Sequence, residues 1–139
     1  MTTRTGGCLC GAVRYEVTAD PMAHVACYCT DCQKASGGSP TLALIVPADA
    51  VKITKGEVKR FVSQGDSGAD VVREFCANCG SPLFSAPSSS GGAIRVVKIG
   101  SLDDPSDFKP TVEIYRDSAR PWHAPHEGAM AFPKGLPTG

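Results

Sequence analysis

From Ala12 to Val17 the side chains alternate, with Val13, Tyr15 and Val17 on one side of an extended chain and Arg14 and Glu16 on the other. A period of two marks a strand with one face in a core. Thr41 to Val46 is a nearly continuous apolar run closed by Pro47, the length of a buried strand. Shorter apolar or alternating stretches at 51–53, 58–62, 71–75, 83–84, 93–99 and 112–115 predict further strands. Turn clusters separate them at Lys55-Gly56, at 64–70 and at 87–92, the last read as a hairpin loop. Helix is predicted only over Asp31 to Ser36, a turn or two stopped at Gly37-Gly38. The expected fold is mainly β with very little helix. One domain is expected over 1–139, with its core at about 6–125 and a loosely packed tail at 128–139.

Composition agrees: 15 glycines and 11 prolines in 139 residues suit short strands joined by turns. Fourteen basic side chains balance 14 acidic ones, so the basic footprint of a nucleic-acid binder is missing and no nucleic-acid partner is expected. No apolar run approaches the roughly 20 residues of a membrane helix, so no membrane partner is expected either. The first residues carry no signal-like apolar stretch, and the expected setting is cytoplasmic. Thiols stay reduced there, which turns attention to the cysteines as metal ligands.

Seven cysteines form three groups: Cys8-Leu9-Cys10, Cys27-Tyr28-Cys29-Thr30-Asp31-Cys32 and Cys76-Ala77-Asn78-Cys79. The first and last are each followed by glycine, Gly11 and Gly80, which can take the left-handed turn that follows a zinc knuckle. Cys8, Cys10, Cys76 and Cys79 are therefore assigned to a closed structural Zn²⁺ site. Cys27, Cys29 and Cys32 remain for a second Zn²⁺ with an open position, since catalytic zinc keeps three protein ligands. With two Zn²⁺ per chain and seven thiolates the net charge becomes about −3. Alternatives for the trio are a site closed by a distant Asp or by His24, His123 or His126, an iron–sulfur site, or thiol redox chemistry.

The segments Gly6-Gly7-Cys8-Leu9-Cys10-Gly11-Ala12-Val13-Arg14-Tyr15, Cys29-Thr30-Asp31-Cys32-Gln33-Lys34-Ala35-Ser36-Gly37 and Phe75-Cys76-Ala77-Asn78-Cys79-Gly80-Ser81 resemble the glutathione-dependent formaldehyde-activating enzyme family, also called centromere protein V-like. Gly100 to Pro105 and Arg120-Pro121-Trp122 fit its C-terminal half. The resemblance implies a β-tent of antiparallel sheets and the same division of cysteines. It also implies addition of glutathione to formaldehyde, a carbon–sulfur lyase reaction when reversed. Relatives commonly carry His where this chain has Tyr28.

For such chemistry the candidate proton donors are Tyr28, Ser36 and His123. Lys34, Arg95, Lys98, Arg116 and Arg120 are candidates for substrate carboxylates, each with an ordinary surface charge as the alternative. Trp122 is expected to pack in the core, and His123 and His126 to lie at the surface. The competing function is a non-catalytic zinc-stabilised module that binds glutathione or a protein partner.

Overall fold

The computed structural model describes residues 3–136, leaving Met1, Thr2 and the last three residues of the expected tail outside the described residues. Eleven strands follow in chain order: β1 Arg4–Gly7, β2 Arg14–Val17, β3 Ala23–Cys27, β4 Thr41–Pro47, β5 Val51–Lys55, β6 Val58–Gln64, β7 Asp70–Cys76, β8 Pro82–Pro87, β9 Ile94–Lys98, β10 Val112–Ile114 and β11 Met130–Ala131. One α-helix, α1, spans Thr30–Ala35. It lies one residue upstream of the predicted segment.

The strands form two sheets. A small one has the order β1-β2-β5, and a large one the order β11-β10-β3-β4-β9-β8-β7-β6. Pairing is antiparallel except at β10, which runs parallel to both β3 and β11. Tyr15, Val13 and Val17 point from the small sheet onto Leu44, Val46, Phe84 and Val97 of the large one, and this contact is the core. Tyr15 meets Phe84 edge-on at 4.8 Å, and its hydroxyl is 2.6 Å from Ser101 Oγ. Each fully buried large side chain here contributes about 2–3 kcal/mol.

Two strands carry no clear apolar period. β1 contains Gly6 and Gly7, and Gly6 is there because Tyr15 fills its side-chain space: a Cβ would lie 2.5 Å from the Tyr15 ring. β3 reads Ala-His-Val-Ala-Cys, yet it occupies the middle of the large sheet. The segment expected to be loose also pairs: β11 joins β10, and the Tyr115 N–H donates to Lys134 O at 2.9 Å.

The large sheet has one face on the core and the other on an open trough. Residues two apart share a face, so Val25 and Cys27, Thr41, Ala43 and Ile45, and Val96 and Lys98 all line that trough.

Candidate metal centres

The first cysteine group leaves β1 and the third ends β7, so a cluster of the two joins both sheets. Cys8, Cys10, Cys76 and Cys79 bring their sulfurs within 4.8 Å of one another. Gly11 and Gly80 close the two knuckles at φ 80° and 78°. Backbone N–H groups aim at the sulfurs: Val13 at Cys8 (3.2 Å), and Asn78 and Cys79 at Cys76 (3.3 and 3.4 Å). The Ser81 hydroxyl lies 3.1 Å from Cys79 Sγ, and this contact holds the Cys79 thiol down at about 5. Such donors favour the thiolate over the thiol.

Geometry tests the fit. Four sulfurs about 2.3 Å from one Zn²⁺ stand roughly 3.8 Å apart in a tetrahedron. Cys8 to Cys10 is 3.7 Å and Cys10 to Cys76 is 3.8 Å. The quartet matches the size and chemistry of a closed Cys₄ zinc site.

The trio forms where β3 runs out. Side chains alternate there, so Cys27 and Cys29 face the trough while Tyr28 turns inward and is 1% exposed. Cys29 then caps α1, its sulfur accepting the Cys32 N–H at 3.2 Å. The helix turn carries Cys32 back under the other two. All three sulfurs lie within 4.8 Å, with Cys29 to Cys32 at 2.7 Å and Cys32 to Cys27 at 3.3 Å. These edges are tighter than a zinc tetrahedron's, and the closest pair would spread by about 1 Å to hold Zn²⁺. Contact with Cys29 and Cys32 pushes the Cys27 thiol up, and contact with the same neighbours, Cys27 and then Cys29, lowers Cys32. Three sulfurs gathered within 4.8 Å of one another suit a thiophilic cation.

The three imidazoles stand apart from the trio. The His24 ring stacks on Phe108 at 5.4 Å and its Nδ1 accepts the Lys109 N–H. His123, expected at the surface, is 8% exposed: Nδ1 accepts the Arg120 N–H at 2.9 Å, so Nε2 donates to Gly38 O at 2.7 Å. His126 Nδ1 lies 2.9 Å from Glu113 Oε2. Among the described residues, no histidine or carboxylate joins the trio's sulfurs.

The trough at the trio has a volume of about 640 Å³ and an aliphatic floor. Of the five cations read as carboxylate contacts, Lys98 alone lines it. Its Nζ donates to Thr41 Oγ1 at 3.2 Å, and Thr41 stands opposite Cys27 across the strand pair. Burial pulls the Lys98 ammonium down, while the nearby thiols act in the opposite direction. Arg95 instead pairs with Glu74 and covers the Phe84 ring, Arg116 lies 4.6 Å over the Tyr28 ring, and Arg120 donates to Gln33 Oε1. Lys34 is exposed. Two more expectations are corrected: Trp122 is 71% exposed rather than packed, and Ser36 lines a separate cavity beside Cys8.

Three residues the sequence did not single out complete the site. Glu113 is 0% exposed and accepts hydrogen bonds from the Tyr28 hydroxyl at 2.6 Å and the His126 N–H at 3.2 Å. Burial raises its carboxyl, but these hydrogen bonds outweigh burial and hold it below the usual value. Burial and the bond to Glu113 push Tyr28 up to about 12, so its proton is committed inward. Tyr28 is thus a buried strut rather than a donor to the trough. Gln33 donates to Tyr28 O at 2.8 Å and to Ser118 O at 3.0 Å, tying the trio's loop to the C-terminal segment. Arg73 enters the trough from β7, held by Ser63. Gln33 lay within the quoted motif, but nothing in one sequence distinguishes buried polar residues such as these from exposed ones.

Comparison with known proteins places the chain. A provisionally named glutathione-dependent formaldehyde-activating enzyme of Penicillium rubens is 39% identical over 79 residues, covering 55% of this chain and 40% of its own. One of the same provisional name from Halomonas elongata is 32% identical over 90 residues, covering 57% and 53% respectively. The chain thus spans about half, or less, of the length of these curated relatives. A crystal structure of a Rhodobacter sphaeroides protein shares the fold, with a TM-score of 0.55 at 20% identity over 71% of this chain and 87% of that one. The family model described as glutathione-dependent formaldehyde-activating enzyme matches residues 3–118, both cysteine clusters included, and the chain belongs to that family.

Proposed function

We propose that this protein is a zinc-dependent enzyme of the carbon–sulfur lyase type. It adds a thiol, glutathione foremost, to a small aldehyde such as formaldehyde, and reverses that addition. The supporting observation is the placement of three sulfurs at one end of an open trough, with every imidazole engaged elsewhere. In this reading Cys8, Cys10, Cys76 and Cys79 hold a structural Zn²⁺, and Cys27, Cys29 and Cys32 hold a second that faces the trough. The second Zn²⁺ supplies a position at which a thiol of ordinary pKa about 8.5 is kept as thiolate at neutral pH.

The chain's own residues do the rest. Lys98 offsets the charge of three thiolates and is kept in place by Thr41. It and Arg73 have no carboxylate partner among the described residues, so both are free to receive the carboxylates of an acidic thiol. Lys98 and Thr41 are the proton-bearing groups next to Cys27, whereas Tyr28 and His123 have their protons committed. The proton released by the thiol passes through this end of the trough to the oxygen of the adduct. A reducing, cytoplasmic setting belongs to the same proposal, since it supplies both free thiol and reduced cysteines.

The test is calorimetric titration of the two-zinc protein with glutathione, paired with NMR exchange between glutathione and formaldehyde. Binding with accelerated exchange is the expected result. Binding without acceleration would favour a non-catalytic glutathione-binding module.

A further inference from the structure

Formaldehyde is too small to account for the trough. At roughly twice the volume of a water, about 60 Å³, it takes about a tenth of the 640 Å³ and leaves the rest to the thiol and to a larger electrophile. The remaining space has a definite chemistry. From the Cys27–Thr41 row, the floor passes through Val25 and Ala43 to Ile45 and Val96, and then to Ile94. Four residues of β4 separate the first row from Ile45, a strip on the order of 13 Å long. Ile45, Ile94 and Val96 remain partly exposed.

Glutathione does not complement this strip. Its amides, ammonium and carboxylates would lose hydration over aliphatic carbon without gaining partners. Polar side chains line the trio end, at Lys98 and Thr41, and the side beyond Val96, where Ser85 and Arg73 continue the Ile45–Val96 row toward β7. Gln64, Asp66, Ser89 and Lys134 also border the trough. The aliphatic floor from Val25 to Ile94 and the polar groups at its trio end and β8 side therefore ask for two kinds of ligand surface.

We propose that the electrophile is an aldehyde with an aliphatic chain that extends along this strip, up to its length of roughly 13 Å, its carbonyl at the trio and its chain over Val25, Ala43, Ile45 and Val96. This rests on reading the trio as the thiol site. In the reaction the thiol sulfur bonds the carbonyl carbon, the C=O π bond breaks, and the thiol proton ends on the oxygen. The product is a hemithioacetal, and nothing is oxidised or reduced.

The experiment is titration calorimetry of the two-zinc protein with glutathione, S-methylglutathione and S-hexylglutathione, followed by exchange rates with formaldehyde and hexanal. Each methylene laid on the strip is worth roughly fourfold, so the hexyl conjugate is expected to bind at least 20-fold tighter than the methyl conjugate. Val96→Thr and Ile45→Thr, which keep β-branched shape on their strands, should each reduce that ratio at least threefold without changing S-methylglutathione binding. Hexanal should exceed formaldehyde in kcat/KM. Equal affinity of the two conjugates, with glutathione itself bound, overturns the inference and leaves the thiol site standing. Failure of all three ligands to bind overturns both. A dimer in sedimentation whose formation covers the strip, with no gain from the hexyl chain, also overturns it.

Discussion

The two cysteine clusters use the same donor atom for opposite ends, and chain separation accounts for the contrast. In the quartet Cys10 approaches Cys76 across 66 positions, so a cation there ties β1 to β7 and closes a long loop. In the trio all three sulfurs come from six consecutive residues, and the strand, cap and helix turn already hold them together. A cross-link removes more freedom from the unfolded chain when the loop it closes is long. The quartet is thereby a fold element. In the proposed reading the trio contributes less to folding and leaves one side of a bound cation to the trough.

That contrast can be attacked by mutation. Cys79→Ser should yield zinc-poor, poorly soluble protein, or a melting temperature lower by more than about 10 °C. Full zinc with an unchanged melting curve would dissolve the distinction.

Next comes Glu113→Gln, which removes a buried charge from its donors and should cost about 3 kcal/mol at neutral pH by urea denaturation. The Glu113 carboxyl is held below its usual value in the folded protein. Its contribution is thus fully present above the unfolded value of about 4.3 and is lost as pH falls through the lower folded value. The gap between variant and parent should close over that acidic window. A gap independent of pH would show that the charge is not what matters.

Tyr28→Phe removes one donor to Glu113 and should cost about 1–2 kcal/mol. Its exchange rate should stay within a few-fold of the parent, where loss of a general acid would cost roughly 10²–10⁴. Cys29→Ser sits at the low end for stability. It should melt within about 3 °C of the parent and retain one zinc by native mass spectrometry, yet lose glutathione binding in calorimetry. Normal binding by that variant would remove the trio from the thiol site.

The alternation at Val13, Tyr15 and Val17 and the apolar run from Thr41 to Val46 were legible because a half-buried or buried strand must show its period. The partition of the cysteines was legible because knuckle spacing and following glycines are local, and the structure gathers the same two groups. β1 and β3 were not legible, since one is thinned to glycine against Tyr15 and the other is buried with few large side chains. Glu113, Gln33 and Arg73 were equally invisible. Nothing near them in sequence states that the Tyr28 hydroxyl, the Tyr28 carbonyl or the trough will lie beside them.

Sequence alone therefore settles the strands that carry an apolar period and which sulfurs belong together, because those depend on residues within a few positions or on repeated local patterns. Folding adds what depends on sheet order and register: that Lys98 comes diagonal to Thr41, that His123 is tied to Gly38, and that an aliphatic floor adjoins three thiols. Those juxtapositions arise between strands far apart in the chain, where no local propensity reaches.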